Sequence, residues 1–558
     1  MVKNKWNQII EYVLILIIIV LVNIIASGHF FRIDLTEDKR YTISDTSIDI
    51  LKELDDVVTV EVYLEGEFPS GFERLQRTIR ETLDEFRIHA GTKIQYRFIN
   101  PGAEADEEMR KRIYYQLAQK GIQPTNLFAK EGDKKVEKLI FPGAMLSYKN
   151  QEVPVMLLKG NKTADPQETL NQSVEGVEYE LISAIRQLTQ KKRKSIAFIE
   201  GHGELNEVEV ADLKSSLQKY YNVYRINLED TRELDNYDAL VVAAPKTPYT
   251  EQEKFLIDQY IVNGGKAMFF INNVNVDMDS LGDEGGVIFP YETNLDDLLF
   301  RYGVRLNYNL IKDLNSGYIP VNVGMMGDKP NVQMVNWRFF PLLNTFGNHP
   351  IVKNMDAVYG KFVGSMDSVK ADGIVKTPLV FSSKYSKLLN APAKLSLNEM
   401  RADANPREYN KGPQAMMFLL EGKFTSLYKN RPSPVAGQKA VGQNQSSSIL
   451  VCSDGDFIRN EMDPKRNEVL PLGYDMYSRQ TFGNKELVLN AVAHLLDDKG
   501  IVNVRAREVI LRPLDKVRIE EERLMWQIIN LAVPVILIIG FGVVRYIYRK
   551  RKFEQFRS

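Results

Sequence analysis

The chain of 558 residues carries 72 Lys plus Arg against 73 Asp plus Glu, a net charge of −1, with 44% apolar and 26% charged residues. That length suggests three or four domains. The near-neutral balance excludes a dedicated nucleic-acid binder, which needs a basic surplus to neutralise phosphate, and the composition excludes a wholly disordered chain and a polytopic membrane protein. The lone cysteine, Cys452, excludes an intrachain disulfide and hence a disulfide-stapled secreted fold.

Residues 9–26 read IIEYVLILIIIVLVNIIA, with Glu11 as the one charge and Lys3 and Lys5 ahead of it. About 18 residues at 1.5 Å each reach roughly 27 Å, enough to cross a hydrocarbon core. Ala26, Ser27 and Gly28 would also suit a signal-peptide cleavage site, but signal-peptide cores run about 7–15 residues. A retained anchor over 1–27 is therefore expected.

Residues 28–190 read as a small α/β domain. Asp45, Thr46 and Ser47 suit the cap of a helix starting near Ile48. Residues 57–63 and 93–99 alternate as strands, 72–90 carry a helical stripe at Leu75, Ile79, Leu83 and Phe86, and 106–120 form a helix ending at Gly121. Two or three strands follow over 138–158, then a polar link at 163–172 and a helix at 174–188. The order suggests a thioredoxin-like layout without the Cys-x-x-Cys pair that redox chemistry needs.

Residues 191–500 read as a larger domain, doubly wound in the Rossmann or flavodoxin manner. Residues 195–200 (SIAFIE), 239–244 and 267–272 are continuous apolar strands separated by helices near 208–220 and 250–263, the pattern of a parallel sheet covered on both faces. Thr250 and Glu253 form a capping-box pair, and Gly264-Gly265 ends that helix. An inserted, less regular region covers about 273–445. It holds the aromatic stretch 337–346, read as core with a partner surface as the alternative, and a Pro/Gly/Gln/Ser-rich loop from 431 expected to be mobile. The α/β pattern resumes at 448–452 and with a helix at 484–496.

A strand and linker cover 501–526, and residues 528–544 form an uncharged apolar run containing Asn530 and Pro534, the centre of a second membrane helix over 527–545. A tail over 546–558 follows; Arg545, Arg549, Lys550, Arg551, Lys552 and Arg557 stand against Glu554 alone. Basic flanks at both ends predict cytoplasmic termini, a two-pass topology in a bacterial inner membrane and a periplasmic body. Residues 1–8 carry +2 and 545–558 carry +5, so the rest carries −8 and the overall neutrality hides an acidic body.

No G-x-x-x-x-G-K-[ST] occurs, so the chain is not expected to bind ATP. The five histidines show no His-Glu-x-x-His spacing, and no metal site or other cofactor is expected. The best site candidate is Gly201-His202-Gly203-Glu204 after the first strand, with Asp454 and Asp456 after a later one. Open α/β sheets bind ligands at this edge, and Glu200 would add to an acidic cluster. The competing reading gives the glycines to a tight turn and the aspartates to a cap. Catalysis is not expected: no nucleophile stands on a strand-to-helix elbow, and Cys452 lies within a strand.

Asp34-Leu35-Thr36, Asp38 to Ser44, Ile199 to Glu204, the Gly264-Gly265-Lys266 helix end, Ser453 to Phe457, and Asn530 and Pro534 before the basic tail occur in an order that resembles the auxiliary (substrate-binding) components of gliding-motility-associated ABC transporters. The resemblance covers nearly the whole chain. It implies a separate ABC permease and a separate ABC ATPase as partners, in an ABC-2-type transporter, and an α/β domain akin to a non-catalytic domain of an intraflagellar transport component. The expected function is a non-catalytic, membrane-anchored component docking on those partners. The alternative is a periplasmic sugar- or peptide-binding module acting at the sheet rim through His202, Glu204, Asp454 and Asp456.

Overall fold

The computed structural model describes residues 42–158, 166–501, 504 and 522–554, except 105, 132–133, 191, 232, 277, 279–280, 282–284, 327–328, 401–403, 436 and 498, together with Leu14, Ile17 and Ile18. The rest of the first apolar run, the segment up to residue 41 and most of the strand expected at 502–511 lie outside the described residues. Two compact units divide the chain, Met1–Arg507 and Glu508–Ser558.

In the first unit the alternating segments pair as their patterns predict. β1 (Val58–Val62) buries every second residue and runs parallel to β2 (Ile94–Phe98). Beyond a hairpin of β3 (Thr125–Glu131) and β4 (Lys134–Ile140), β5 (Gly143–Tyr148) and β6 (Gln151–Met156) complete a four-stranded sheet of order β2-β1-β5-β6. α1 (Asp45–Lys52), α2 (Ser70–Ala90), α3 (Glu107–Gln119) and α4 (Pro166–Thr189) accompany it. The stripe Leu75, Ile79, Leu83 and Phe86 of α2 is fully buried in one core with Val177, Leu181 and Ile185 of α4, each such side chain contributing roughly 1.5–3 kcal/mol.

Two local expectations shift. Ser44, one residue ahead of the expected cap, accepts the N–H of Ser47, while the Ser44 N–H and the Ser47 hydroxyl both donate to Glu178 of α4 at 2.7 Å. The polar stretch expected as a link is mostly the first turns of α4, whose exposed face the polar residues form.

The second region is built on an eight-stranded sheet. β7 (Ser195–Glu200), β8 (Asn222–Asn227), β9 (Ala239–Ala243) and β10 (Lys266–Phe270) run parallel, and α5 (Ala211–Gln218) and α6 (Glu251–Val262) connect them. α7 (Asp296–Tyr302) follows, and then the segment expected as an irregular insertion. It folds instead into strands, among them β11 (Asn309–Asp313), the long hairpin β12 (Ser316–Met326) and β13 (Lys329–Leu343), β14 (Thr345–Phe346), β15 (Ile374–Phe381), β16 (Ser386–Asn390) and β17 (Ala415–Lys423). β18 (Ser446–Cys452) and α8 (Asn484–Leu495) close the region. The sheet order is β14-β15-β17-β18-β10-β9-β7-β8, with β14, β15 and β17 antiparallel to their neighbours and the other five strands parallel. The sheet is thus mixed rather than purely parallel.

Strand alternation sorts the core into two layers. Ile196, Phe198, Val241, Met268, Phe270, Leu450 and Cys452 face Leu213 of α5 and Leu487, Val488 and Ala491 of α8. Ala197, Ile199, Leu240, Val242, Phe269 and Val451 face Phe255 and Ile261 of α6 and Leu298 and Tyr302 of α7. Of the aromatic stretch, Trp337, Phe339 and Phe340 are buried in a separate core of the inserted region, as the core reading expects.

In the second unit, α9 (Arg523–Glu554) contains Pro534 and is apolar across its middle. Its span Arg523–Arg551 has a mean hydropathy of 2.3, and none of its most apolar stretch is buried.

Candidate functional site

The carboxyl edge of the sheet carries the residues singled out from sequence. Gly201 and Gly203 both take positive φ, +124° and +73°, so the chain leaves β7 in a turn that L side chains rarely adopt. This turn presents His202 inward. Its ring stacks on Tyr249 at 3.9 Å, Nε2 lies 3.1 Å from Oε2 of Glu253, and Nδ1 lies 3.5 Å from Oε1 of Glu204. Glu204 accepts the backbone N–H of His202 and the Tyr249 hydroxyl, each at 2.6 Å. Only 7% of His202 is exposed.

Glu253 is in turn the capping-box partner of Thr250, accepting the Thr250 N–H at 2.8 Å and its hydroxyl at 2.6 Å. Burial pulls the Glu253 carboxyl up, but the Thr250 bonds and the His202 ring outweigh it and leave the group below its usual range. Burial, followed by the charge and hydrogen bond of Glu204, drives Tyr249 well above the ordinary phenol range. Glu200 pairs sideways with Arg225 at 2.7 Å. His202 and Glu204 therefore fasten the end of β7 to the start of α6.

Asp454 and Asp456 follow β18. Asp454 is fully buried and accepts the N–H of Asp456 at 2.9 Å and of Lys361 at 3.0 Å, capping the short turn Gly455–Ile458. Gly455 sits so close to the end of β9 that a Cβ would lie 2.6 Å from that of Ala244. Burial, then the charge of Asp456, lifts the Asp454 carboxyl to about 8. Asp456 pairs with Arg459 at 3.0 Å.

β9 and β10 stand between the two pairs in the sheet. Among the described residues no hydrogen bond or ion pair joins His202 or Glu204 to Asp454 or Asp456, so the edge holds two separate buried networks, not one acidic cluster. Cys452 is buried in the core, and burial pushes its thiol well above the usual range, the opposite of an activated nucleophile.

Sequence reading missed two arrangements. On α6, Lys254 is 1% exposed yet meets Glu251 at 2.7 Å and Asp297 at 3.0 Å. Buried Asp258 accepts from Tyr302, Ser426 and Leu427 at 2.6–2.9 Å. Their partners come from segments about 40 and 170 residues away, which no local pattern announces. The second is the meeting of His349, Glu421 and His494.

With this geometry in hand, comparison with known proteins places the chain. Residues 193–491, more than half of the chain, match a family described as an ABC-type uncharacterized transport system, auxiliary component. The chain belongs to this family. Residues 37–147 match a domain of unknown function. An uncharacterized protein of Borreliella burgdorferi is 23% identical over 572 aligned positions, covering 99% of both chains. Among solved structures, the N-terminal domain of mmIFT52 aligns with 54% of this chain and 97% of its own, at 12% identity and a TM-score of 0.31. As an auxiliary ABC transport component, the chain is part of a transport system, and its apolar helix α9 suggests membrane association.

Proposed function

We propose that this protein is a non-catalytic, membrane-anchored subunit of an ABC-2-type transporter, holding an extracytoplasmic body against a separate permease that is driven by a separate ATPase. The observation that carries the reading is α9. This helix of 32 residues has an unburied apolar middle, and its own last turns, running into the segment expected as a tail, carry Arg545, Arg549, Lys550, Arg551 and Lys552. Such a helix is stable only when lipid or another membrane protein covers it.

Family membership supplies the transport context, and the lack of a G-x-x-x-x-G-K-[ST] motif in the sequence fits ATP being bound by a partner. The buried His202 and Glu204, tied to Tyr249 and Glu253, and the inert Cys452 favour a scaffold over an enzyme or a rim-binding module. On this reading the apolar run at 9–26 is the second anchor, with both termini in the cytoplasm and the body in the periplasm of a bacterial inner membrane. Association with gliding motility rests on the sequence resemblance.

Purification of the tagged chain from its own membranes in a mild detergent tests this. A polytopic permease and a P-loop ATPase should co-purify in fixed ratio. A chain that purifies alone, from membranes in which both proteins are present, would overturn the assignment.

A further inference from the structure

His349, Glu421 and His494 come from three distant stretches of chain. His349 precedes the short turn Pro350–Val352, Glu421 lies on β17, and His494 is in the last turn of α8. One ligand atom of each lies within 4.8 Å of the other two. Nε2 of His494 is 3.1 Å from Oε1 of Glu421, and the two imidazole rings meet edge to face at 4.9 Å. The His494 and Glu421 side chains are 18% and 36% exposed, so the cluster is open to solvent on one side and walled by the sheet on the other.

We propose that these three side chains form a binding site for a divalent transition-metal ion, Zn2+ foremost, with two imidazole ligands, one carboxylate and a remaining position open to water.

The donor set selects the ion. Two imidazoles disfavour Mg2+ and Ca2+, which require oxygen ligands, and suit Zn2+ and its first-row neighbours. Three protein ligands with one open position are the pattern of an exchangeable or reactive zinc site, whereas structural sites are closed by four. Zinc bonds of about 2.0–2.1 Å set tetrahedral ligand atoms about 3.3 Å apart. The His494–Glu421 pair already stands at that spacing, and rotation of partly exposed side chains closes the wider contacts.

The metal-free tautomers define what binding must displace. Nδ1 of His349 accepts the N–H of Ile351 at 3.2 Å, so Nε2 carries that ring's proton. Nε2 of a neutral His494 donates to Glu421. Ligation through both Nε2 atoms moves each proton to Nδ1 of its own ring, with no net release from neutral rings, and gives up one long cap bond and one His–Glu bond. Metal–ligand bonds outweigh such contacts. The ion would tie the turn at Pro350–Val352 to β17 and to α8.

The test uses the full, untagged chain in detergent, stripped with chelator and titrated calorimetrically with ZnCl2 and by visible absorption with CoCl2. One ion per chain is expected, undisturbed by excess Mg2+, with a Co2+ ligand-field spectrum. His349→Ala and Glu421→Gln should each weaken Zn2+ binding by at least about 100-fold, beyond the 10–100-fold cost of losing an outer-shell partner. His89→Ala, in α2 of the N-terminal region, should leave it unchanged. Failure to bind one Zn2+ per chain, or undiminished binding in either folded variant, His349→Ala or Glu421→Gln, would overturn the proposal. Glu421→Gln keeps the side chain's size, so it decides the matter even if a histidine variant does not fold.

Discussion

Asp454 shows what burial does to a single carboxyl. It is out of contact with solvent, it meets two backbone N–H groups, and its pKa stands at about 8 because burial and then the Asp456 charge oppose ionisation. In the unfolded chain the same group titrates near 3.9. Between about pH 4 and 8 the unfolded state therefore binds fewer protons than the folded one. Asp454 costs stability progressively as the pH rises through that window, and costs nothing below it. Asp454→Asn cannot ionise, but it turns an NH2 toward a backbone N–H where the carboxyl offered an oxygen. It should destabilise the chain by about 1–3 kcal/mol at pH 5, and by clearly less at pH 8, where the native residue has lost its own advantage. Denaturant unfolding at the two pH values measures this, and an equal loss at both would show that Asp454 is ionised throughout. Asp258, equally buried, has a different environment: four donors, from Gln259, Tyr302, Ser426 and Leu427, converge on it.

Helix α6 gathers much of this chemistry. Thr250 caps it, Glu253 closes the box and receives His202 from the end of β7, and Gly264, at φ +99°, ends it. Thr250→Ala should cost about 1 kcal/mol, within the 0.5–2 kcal/mol span of lost N-caps. Thr250→Ser should restore most of that in equilibrium unfolding. If alanine proves neutral, the box does not hold the helix start. The cap, the glycine stop and the strands β7, β9, β10 and β18 were legible because their signals are local: a Thr-x-x-Glu spacing, a Gly pair, and unbroken apolar runs. β17 was not legible as a member of the same sheet. Its run AMMFLLEGK shows a buried strand, but nothing in it states which edge it joins or in what direction. The β12–β13 hairpin escaped for another reason: Pro320, Pro330 and Pro341 and two register shifts break its period. At the sheet edge the glycine turn and the capping aspartate were visible as motifs. The inward direction of His202 was not, because it is fixed by Tyr249 and Glu253, some 50 residues away. His349, Glu421 and His494 each sit in an unremarkable context, and only tertiary folding brings them together.

At the scale of the whole molecule, the two basic ends and the acidic remainder require a membrane between them if the proposed topology holds. The single cysteine provides a clean way to ask. Cys452 is fully buried in the sheet, with its thiol pushed up by burial, so the native chain should stay silent toward a membrane-impermeant maleimide. New cysteines can therefore be placed without first removing it. Val375, on β15, is 64% exposed, and Gln555 lies in the basic tail. In spheroplasts Val375→Cys should be labelled at once, while Gln555→Cys should be labelled only after lysis. A positive-inside tail fixes that order, since five or more Lys and Arg residues beside an apolar helix are retained on the cytoplasmic side. The opposite order would place the body in the cytoplasm. Labelling of both before lysis would mean that the helix does not cross the bilayer, and that its exposed apolar surface is covered by another protein instead.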